Sequence, residues 1–280
     1  MSVSRFSARY PERIVCLTEE TTETLYLLGE ERRIVGISGY TVRPARARIE
    51  KPKVSSFLSA KIGRILELQP DLVLGFSDLQ ADIARELAKA GMNVMIFNQR
   101  SVSEILSMIL TLSAMVGAAE KGRQLVAELE RNLGSIREAA ARFARRPRVY
   151  FEEWDEPMIS AIRWVSELVE IAGGEDIFPE LSRSQAAGGR VVSDPSLVIE
   201  RNPDVMLASW CGKKFRPERV KARAGWEALP AVRDGMLFEI KSAEILQPGP
   251  AALTDGVRRI HEILRDFLSG GGRTPRSGGA

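Results

Sequence analysis

The stretch Ile65-Leu-Glu-Leu-Gln-Pro-Asp-Leu-Val-Leu-Gly-Phe76 aligns without gaps on Val198-Ile-Glu-Arg-Asn-Pro-Asp-Val-Met-Leu-Ala-Ser209. Glu67 and Glu200, Pro70 and Pro203, Asp71 and Asp204, and Leu74 and Leu207 are identical. Each copy reads as a helix end, a Pro-Asp turn and a buried strand. Proline pushes the residue before it out of the helical region, aspartate suits the turn, and the apolar run enters a sheet. A single Pro-Asp turn before a strand is common in α/β proteins. Two in matching context point to two related lobes.

Outward from these copies, short apolar runs alternate with helical patterns. Ile14–Leu17, Ile34–Ser38, Leu72–Phe76 and Val94–Phe97 form one series, and Val149–Glu152, Val191–Ser193, Val205–Ser209 and Met236–Ile240 a second. Strand-then-helix order implies parallel sheets covered by helices. Between the series, Leu125, Leu129, Leu133, Ile136, Ala140 and Phe143 recur at steps of three and four. They mark one face of a helix over about 118–144, with Pro147 beyond its end. The expected class is α/β: two α/β lobes with mainly parallel sheets joined by one long helix, with a ligand cleft between the lobes. The expected divisions are 1–117, 118–146 and 147–268, with the glycine-rich 269–280 a disordered tail.

Composition narrows the function. Of 280 residues, 40 are basic and 37 acidic, and the two signs are mixed along the chain. A nucleic-acid binder usually concentrates its basic residues on one face. Two cysteines, Cys16 and Cys211, make neither a disulfide framework nor a metal motif. The one histidine, His261, falls on an expected C-terminal helix, poorly placed for a zinc site or a Ser-His triad. No nucleophile elbow, P-loop or dinucleotide fingerprint is present. The longest uncharged run, Ile105–Ala119, is too short to span a bilayer, so no membrane insertion is expected. The first residues show no secretory pattern, which makes a cytoplasmic location the expectation, with a periplasmic or cell-surface one if a leader has been removed.

In open α/β sheets ligands gather beyond the carboxyl ends of the strands. The residues that follow the expected strands are therefore the candidate ligand contacts: Glu19, Glu20, Tyr40, Phe57, Phe76, Ser77 and Asp78 in the first half, and Glu152, Trp154, Trp210 and Lys241 in the second. Aromatic rings with a few polar groups suit a large, flat, partly apolar ligand. The same tryptophans could instead cap the core. Two basic stretches, 41–53 and 213–223, favour an anionic ligand if they face it and are otherwise solvated loops. The carboxylates Glu19, Glu20, Glu152, Glu153, Asp155 and Glu156 would serve acid–base catalysis only if two were held at a defined separation with perturbed pKa values. No metal-ligating set emerges.

The opening Arg13-Ile-Val-Cys-Leu-Thr-Glu-Glu-Thr-Thr-Glu-Thr-Leu-Tyr-Leu-Leu-Gly29, the run Arg33–Ser38, the Ile65–Phe76 segment and the long helix resemble the periplasmic-binding family for siderophores, haem and vitamin B12. The resemblance covers about residues 12–268. Within the family the chain most resembles the cobalamin-binding proteins. This implies a non-catalytic protein holding a corrinoid, or another metal chelate such as a siderophore or haem, with contacts at Tyr40, Phe57, Trp154 and Trp210. For haem, Tyr40 is the one axial ligand to name. Transporter-docked members carry a surface glutamate on each lobe. Here those positions fall near Gly63 and Ser196, neither acidic, which argues against docking on an ABC permease.

Overall fold

The computed structural model describes residues 9–270. The chain forms two compact units. One holds the described residues to Gln99, Ser103–Leu129 and Pro248–Pro250, and the other holds Arg100–Val102, Glu130–Gln247 and the described residues from Ala251.

In the first unit β1 (Ile14–Cys16), β2 (Ile34–Ser38), β3 (Lys53–Ser55), β4 (Leu72–Phe76) and β5 (Val94–Phe97) form one sheet in the order β3-β2-β1-β4-β5. Every pair in it is parallel. The chain runs outward from β1 to β3, then returns past β1 to lay down β4 and β5. The reversal falls between β1 and β4, where open α/β sheets place their ligands. Val15, Leu17, Val54, Ile65, Val73 and Leu87 form the core of this unit. Gly36 lets it close, since a Cβ there would meet Leu68, Val54 and Val15 at 3.0–3.3 Å.

The second unit holds β6 (Arg148–Asp155), β7 (Met158–Ser160), β8 (Glu175–Asp176), β9 (Val205–Ala208) and β10 (Leu237–Glu239). The sheet order is β10-β9-β6-β7. β8 pairs in parallel with the start of β6, and β7 pairs antiparallel with its end. Tyr150, Phe178, Trp210 and Trp226 dominate the core, with rings in edge contact.

Three expectations are corrected. Val191 makes one isolated bridge to Ile159, and no strand forms at 191–193. β6 runs on to Asp155, because the hairpin with β7 supplies partners for residues expected to be loop. The long helix spans Ala119–Ala140, and the boundary between the units falls within it, after Leu129, so it is not a separate division. Leu129, Leu133, Ile136 and Ala140 are buried along it, as their spacing requires. Of the expected tail, 271–280 lies outside the described residues, and Ser269 and Gly270 form a turn.

The two copies of the quoted stretch do the same structural work. Helices Ile62–Glu67 and Ser196–Arg201 lead into β4 and β9. Gln69 and Asn202, equivalent positions, both take left-handed backbone, with φ of 46° and 44°. Asp71 accepts the backbone N–H of Glu12 at 2.7 Å and of Arg13 at 3.0 Å, just before β1. Asp204 accepts that of Arg148 at 2.8 Å, where β6 begins. Each aspartate thus anchors the start of the central strand of its sheet.

Candidate functional site

The first sheet ends on a buried acidic turn. β1 passes through Leu17 and Thr18 into the helix Glu19–Leu27, whose residues Glu19 to Leu25 are all buried. The Thr18 hydroxyl donates to Glu20 Oε1 at 2.6 Å, and Thr24 donates back to the Glu20 carbonyl at 2.7 Å. Glu19 Oε2 accepts the backbone N–H of Val42. Glu19 Oε1 and Glu20 Oε2 find no hydrogen-bond partner among the described residues. Burial pushes each carboxyl up to about 7, and the nearby Glu23 carboxylate adds to both.

Gln80 ties three loops together. Its Oε1 accepts from the Phe76 N–H at 3.0 Å, and its Nε2 donates to the Phe57 carbonyl at 2.9 Å and to the Leu17 carbonyl, after β1, at 3.5 Å. Gly75 makes room for it, since a Cβ there would lie 2.7 Å from Gln80 Oε1. Ser77 holds a positive φ of 66° and accepts the Leu79 N–H at 3.2 Å. The loops so fixed turn Tyr40, Val42, Leu58 and Leu79 out to solvent. The last three were missed in the sequence. Their signal was apolar residues within otherwise polar strand-end loops. An open groove beside the Tyr40 loop is lined by Tyr26, Leu27, Val42 and Pro44 together with charged Glu23, Arg43 and Arg46.

The second sheet ends on a layer of ion pairs and rings. Glu152 is wholly buried. It takes a bidentate pair from Arg223 at 2.7 and 3.0 Å, the Trp210 indole N–H at 3.0 Å and the Tyr150 hydroxyl at 3.0 Å. Asp155 pairs with Lys213 and, at 2.9 Å, with Arg219. Burial pushes the Asp155 carboxyl up, but the two cations outweigh it and hold the group below its ordinary value. Lys213 Nζ sits over the Trp154 ring, 4.0 Å from its centroid, and 5.3 Å from that of Trp210.

The expected contacts therefore separate by depth. Tyr40, Asp78 and Lys241 are exposed, and Phe57 and Trp154 are half-buried. Glu19, Glu20, Phe76, Ser77, Glu152 and Trp210 are buried. For Glu152 and Trp210 this corrects the surface reading: they are bonded to each other, and Trp210 packs edge-on against Phe215. Lys241 pairs with Glu239 at 2.7 Å. The basic stretches are also answered from within. Arg43 meets Glu23, Arg46 meets Glu31, and Lys213, Arg219 and Arg223 meet the carboxylates at the end of β6. These five are answered by the protein itself, which weakens the case for an anionic ligand at them. His261 stacks on Phe143 with centroids 5.2 Å apart, a packing role. Both cysteines are free. Among the described residues no cluster of His, Cys, Asp or Glu could hold a metal ion.

A family model described as periplasmic binding protein matches residues 14–244. The chain belongs to this family. The chain is 24% identical over 263 residues to an ABC transporter substrate-binding lipoprotein of Bacillus subtilis, covering 91% of this chain and 80% of that one. It is 27% identical over 264 residues to a vitamin B12-binding protein of Vibrio parahaemolyticus, covering 92% and 90%. Its fold matches the solved structure of Staphylococcus aureus IsdE complexed with haem at a TM-score of 0.78, with 20% identity and 92% and 99% coverage. The two-lobed α/β class and the family resemblance thus hold. The chain is a substrate-binding protein of the ABC transporter type. The cytoplasmic expectation is overturned: the family and the lipoprotein relative point to a place outside the cytoplasm. No helix among the described residues is long and apolar enough to cross a membrane.

Proposed function

We propose that this protein binds a flat metal chelate without transforming it, and that the chelate is a corrinoid of the cobalamin type. The observation that carries the reading is the character of the strand ends. Those of the first unit offer solvent-facing Tyr40, Val42, Leu58 and Leu79, those of the second half-buried Trp154, and Arg43 and Lys213 are ion-paired. Such side chains suit a large ring system with an apolar face and few net charges. The similarity to a vitamin B12-binding protein favours a corrinoid over other chelates. A chelate also supplies the metal's ligands itself, which fits a chain with one histidine.

Haem is the second reading, favoured by the fold match to a haem complex and by Tyr40, 64% exposed and able to offer a phenolate. The enzymatic reading is weaker. Glu152, Glu153, Asp155 and Glu156 are each ion-paired, to Arg223, Arg190, Lys213 and Arg219, and Glu19 and Glu20 are buried. Delivery to a permease belongs to the same proposal. Exposed Gly63 and Ser196 offer no carboxylate there, so docking must use other side chains.

Equilibrium dialysis against cyanocobalamin, haemin and a ferric hydroxamate chelate tests the choice of ligand by colour alone. Retention of cyanocobalamin at one per chain is the expected result. Retention of haemin only, lost in Tyr40→Phe, would replace the corrinoid with haem.

A further inference from the structure

We propose that Lys213 is an internal competitor for the face of Trp154, so that a flat chelate stacks on this ring only after the lysine has left it. The inference rests on the reading above, that the strand ends take a chelate with an apolar face. Its own ground is the geometry at the end of β6.

Trp154 is the last residue but one of β6, with its indole N–H donated to the Glu156 carbonyl at 2.8 Å. That bond fixes the ring and leaves its faces as its contact surfaces. One face carries the Lys213 ammonium, 4.0 Å from the centroid. The same ammonium pairs with Asp155 and lies 5.3 Å from the Trp210 centroid. A carboxylate and two indole rings around one ammonium is the arrangement by which aromatic boxes hold cations. Here the occupant comes from the chain itself.

The occupant is held by contacts that can be exchanged. Lys213 lies in the short segment between β9 and the helix Pro217–Lys221, directly after Gly212, whose φ of 79° only glycine takes without strain. The Lys213 side chain keeps about a third of its surface in water. If the ammonium swings away, Asp155 keeps Arg219 at 2.9 Å, so departure leaves no bare buried charge. Trp210, in contrast, stays pinned by Glu152 and Phe215. The exchangeable part is thus the lysine over Trp154. A competitor of this kind lowers apparent affinity by the fraction of molecules in which the face is covered. It selects for ligands whose stacking exceeds one cation–π contact and one ion pair.

Tryptophan fluorescence isolates the ring. Trp164, Trp210 and Trp226 are buried, and Trp154 is the half-exposed fourth. Lys213→Ala and Lys213→Gln are expected to raise acrylamide quenching in the free protein and to bind cyanocobalamin at least tenfold more tightly than the parent. Lys213→Arg restores a cation over the ring and is expected to stay near the parent in both measurements. Unchanged quenching in Lys213→Ala overturns the proposal, because the lysine then does not cover the ring. Parental binding with equal or weaker binding by Lys213→Ala overturns the competition and leaves the ligand reading standing. Binding of none of cyanocobalamin, haemin or a ferric hydroxamate chelate by either protein overturns both.

Discussion

Two buried acids set an unusual pH dependence. Glu19 and Glu20 titrate near 7 in the folded chain, against an ordinary value of 4.5, chiefly because burial penalises their charge. The folded state therefore holds protons that the unfolded state gives up. Their contribution to stability is fully present below pH 4.5 and is lost as pH rises through about 7. One pKa unit is worth about 1.4 kcal/mol, so the effect of either group is of order a few kcal/mol. Glu20→Gln keeps an oxygen for the Thr18 hydroxyl and removes the ionisation. Urea midpoints at pH 5 and pH 8 should differ less in Glu20→Gln than in the parent, with the variant gaining about 1–3 kcal/mol at pH 8. An unchanged difference would show that Glu20 ionises freely where it lies. Glu152 matters through its partners. Its four hydrogen bonds satisfy the charge, and Glu152→Ala leaves Arg223 facing an empty place. A loss of about 3–5 kcal/mol in chemical denaturation is expected. The depth of such residues was not legible in the sequence. Position after a strand put Trp210 and Trp154 in one class. Only the fold shows that Trp210 turns inward to Glu152 while Trp154 stays at the surface.

Among elements, three strands match their expected bounds to the residue: Ile34–Ser38, Leu72–Phe76 and Val94–Phe97. Each is a short, largely apolar run bounded by turn residues, so pattern and turn chemistry agree. β3 and β7 were not legible, being three residues each, and β3 opens on exposed Lys53. Their pairing comes from neighbouring strands rather than from their own pattern. The Pro-Asp turns were read as punctuation, but their aspartates do more. Asp204 receives the Arg148 N–H and a two-pronged ion pair from Arg145 at 2.6 and 3.0 Å. Asp204→Ala should cost about 2–3 kcal/mol, since charged hydrogen bonds are worth about 1.5–3 kcal/mol each and the ion pair is half-exposed. Asp204→Asn, which keeps an acceptor for the backbone, should recover part of it. Equal losses in the two variants would mean that the ion pair matters and the strand anchor does not. Gly75→Ala should act through Gln80, 2.7 Å from the added methyl. Loosening the loops after β1, β3 and β4 should weaken ligand binding more than it lowers the thermal midpoint.

For the whole molecule, alternation of strands with helices announced the α/β class, and the repeated stretch announced two lobes. The ligand was less legible, because one fold serves several chelates and its chemistry lies in loops that vary freely. The structure adds what each unit carries at its strand ends: exposed Tyr40, Val42, Leu58 and Leu79 in the first, and half-buried Trp154 beside paired charges in the second. The most direct test of a chelate-binding role is calorimetric titration of the purified protein with cyanocobalamin, alongside Tyr40→Ala and Trp154→Ala. One site per chain with a dissociation constant of about 1 µM or tighter is expected, corresponding to roughly −8 kcal/mol. Each variant should lose about tenfold, or roughly 1.4 kcal/mol. Absence of heat with the parent protein, or parental affinity in both variants, would contradict the account.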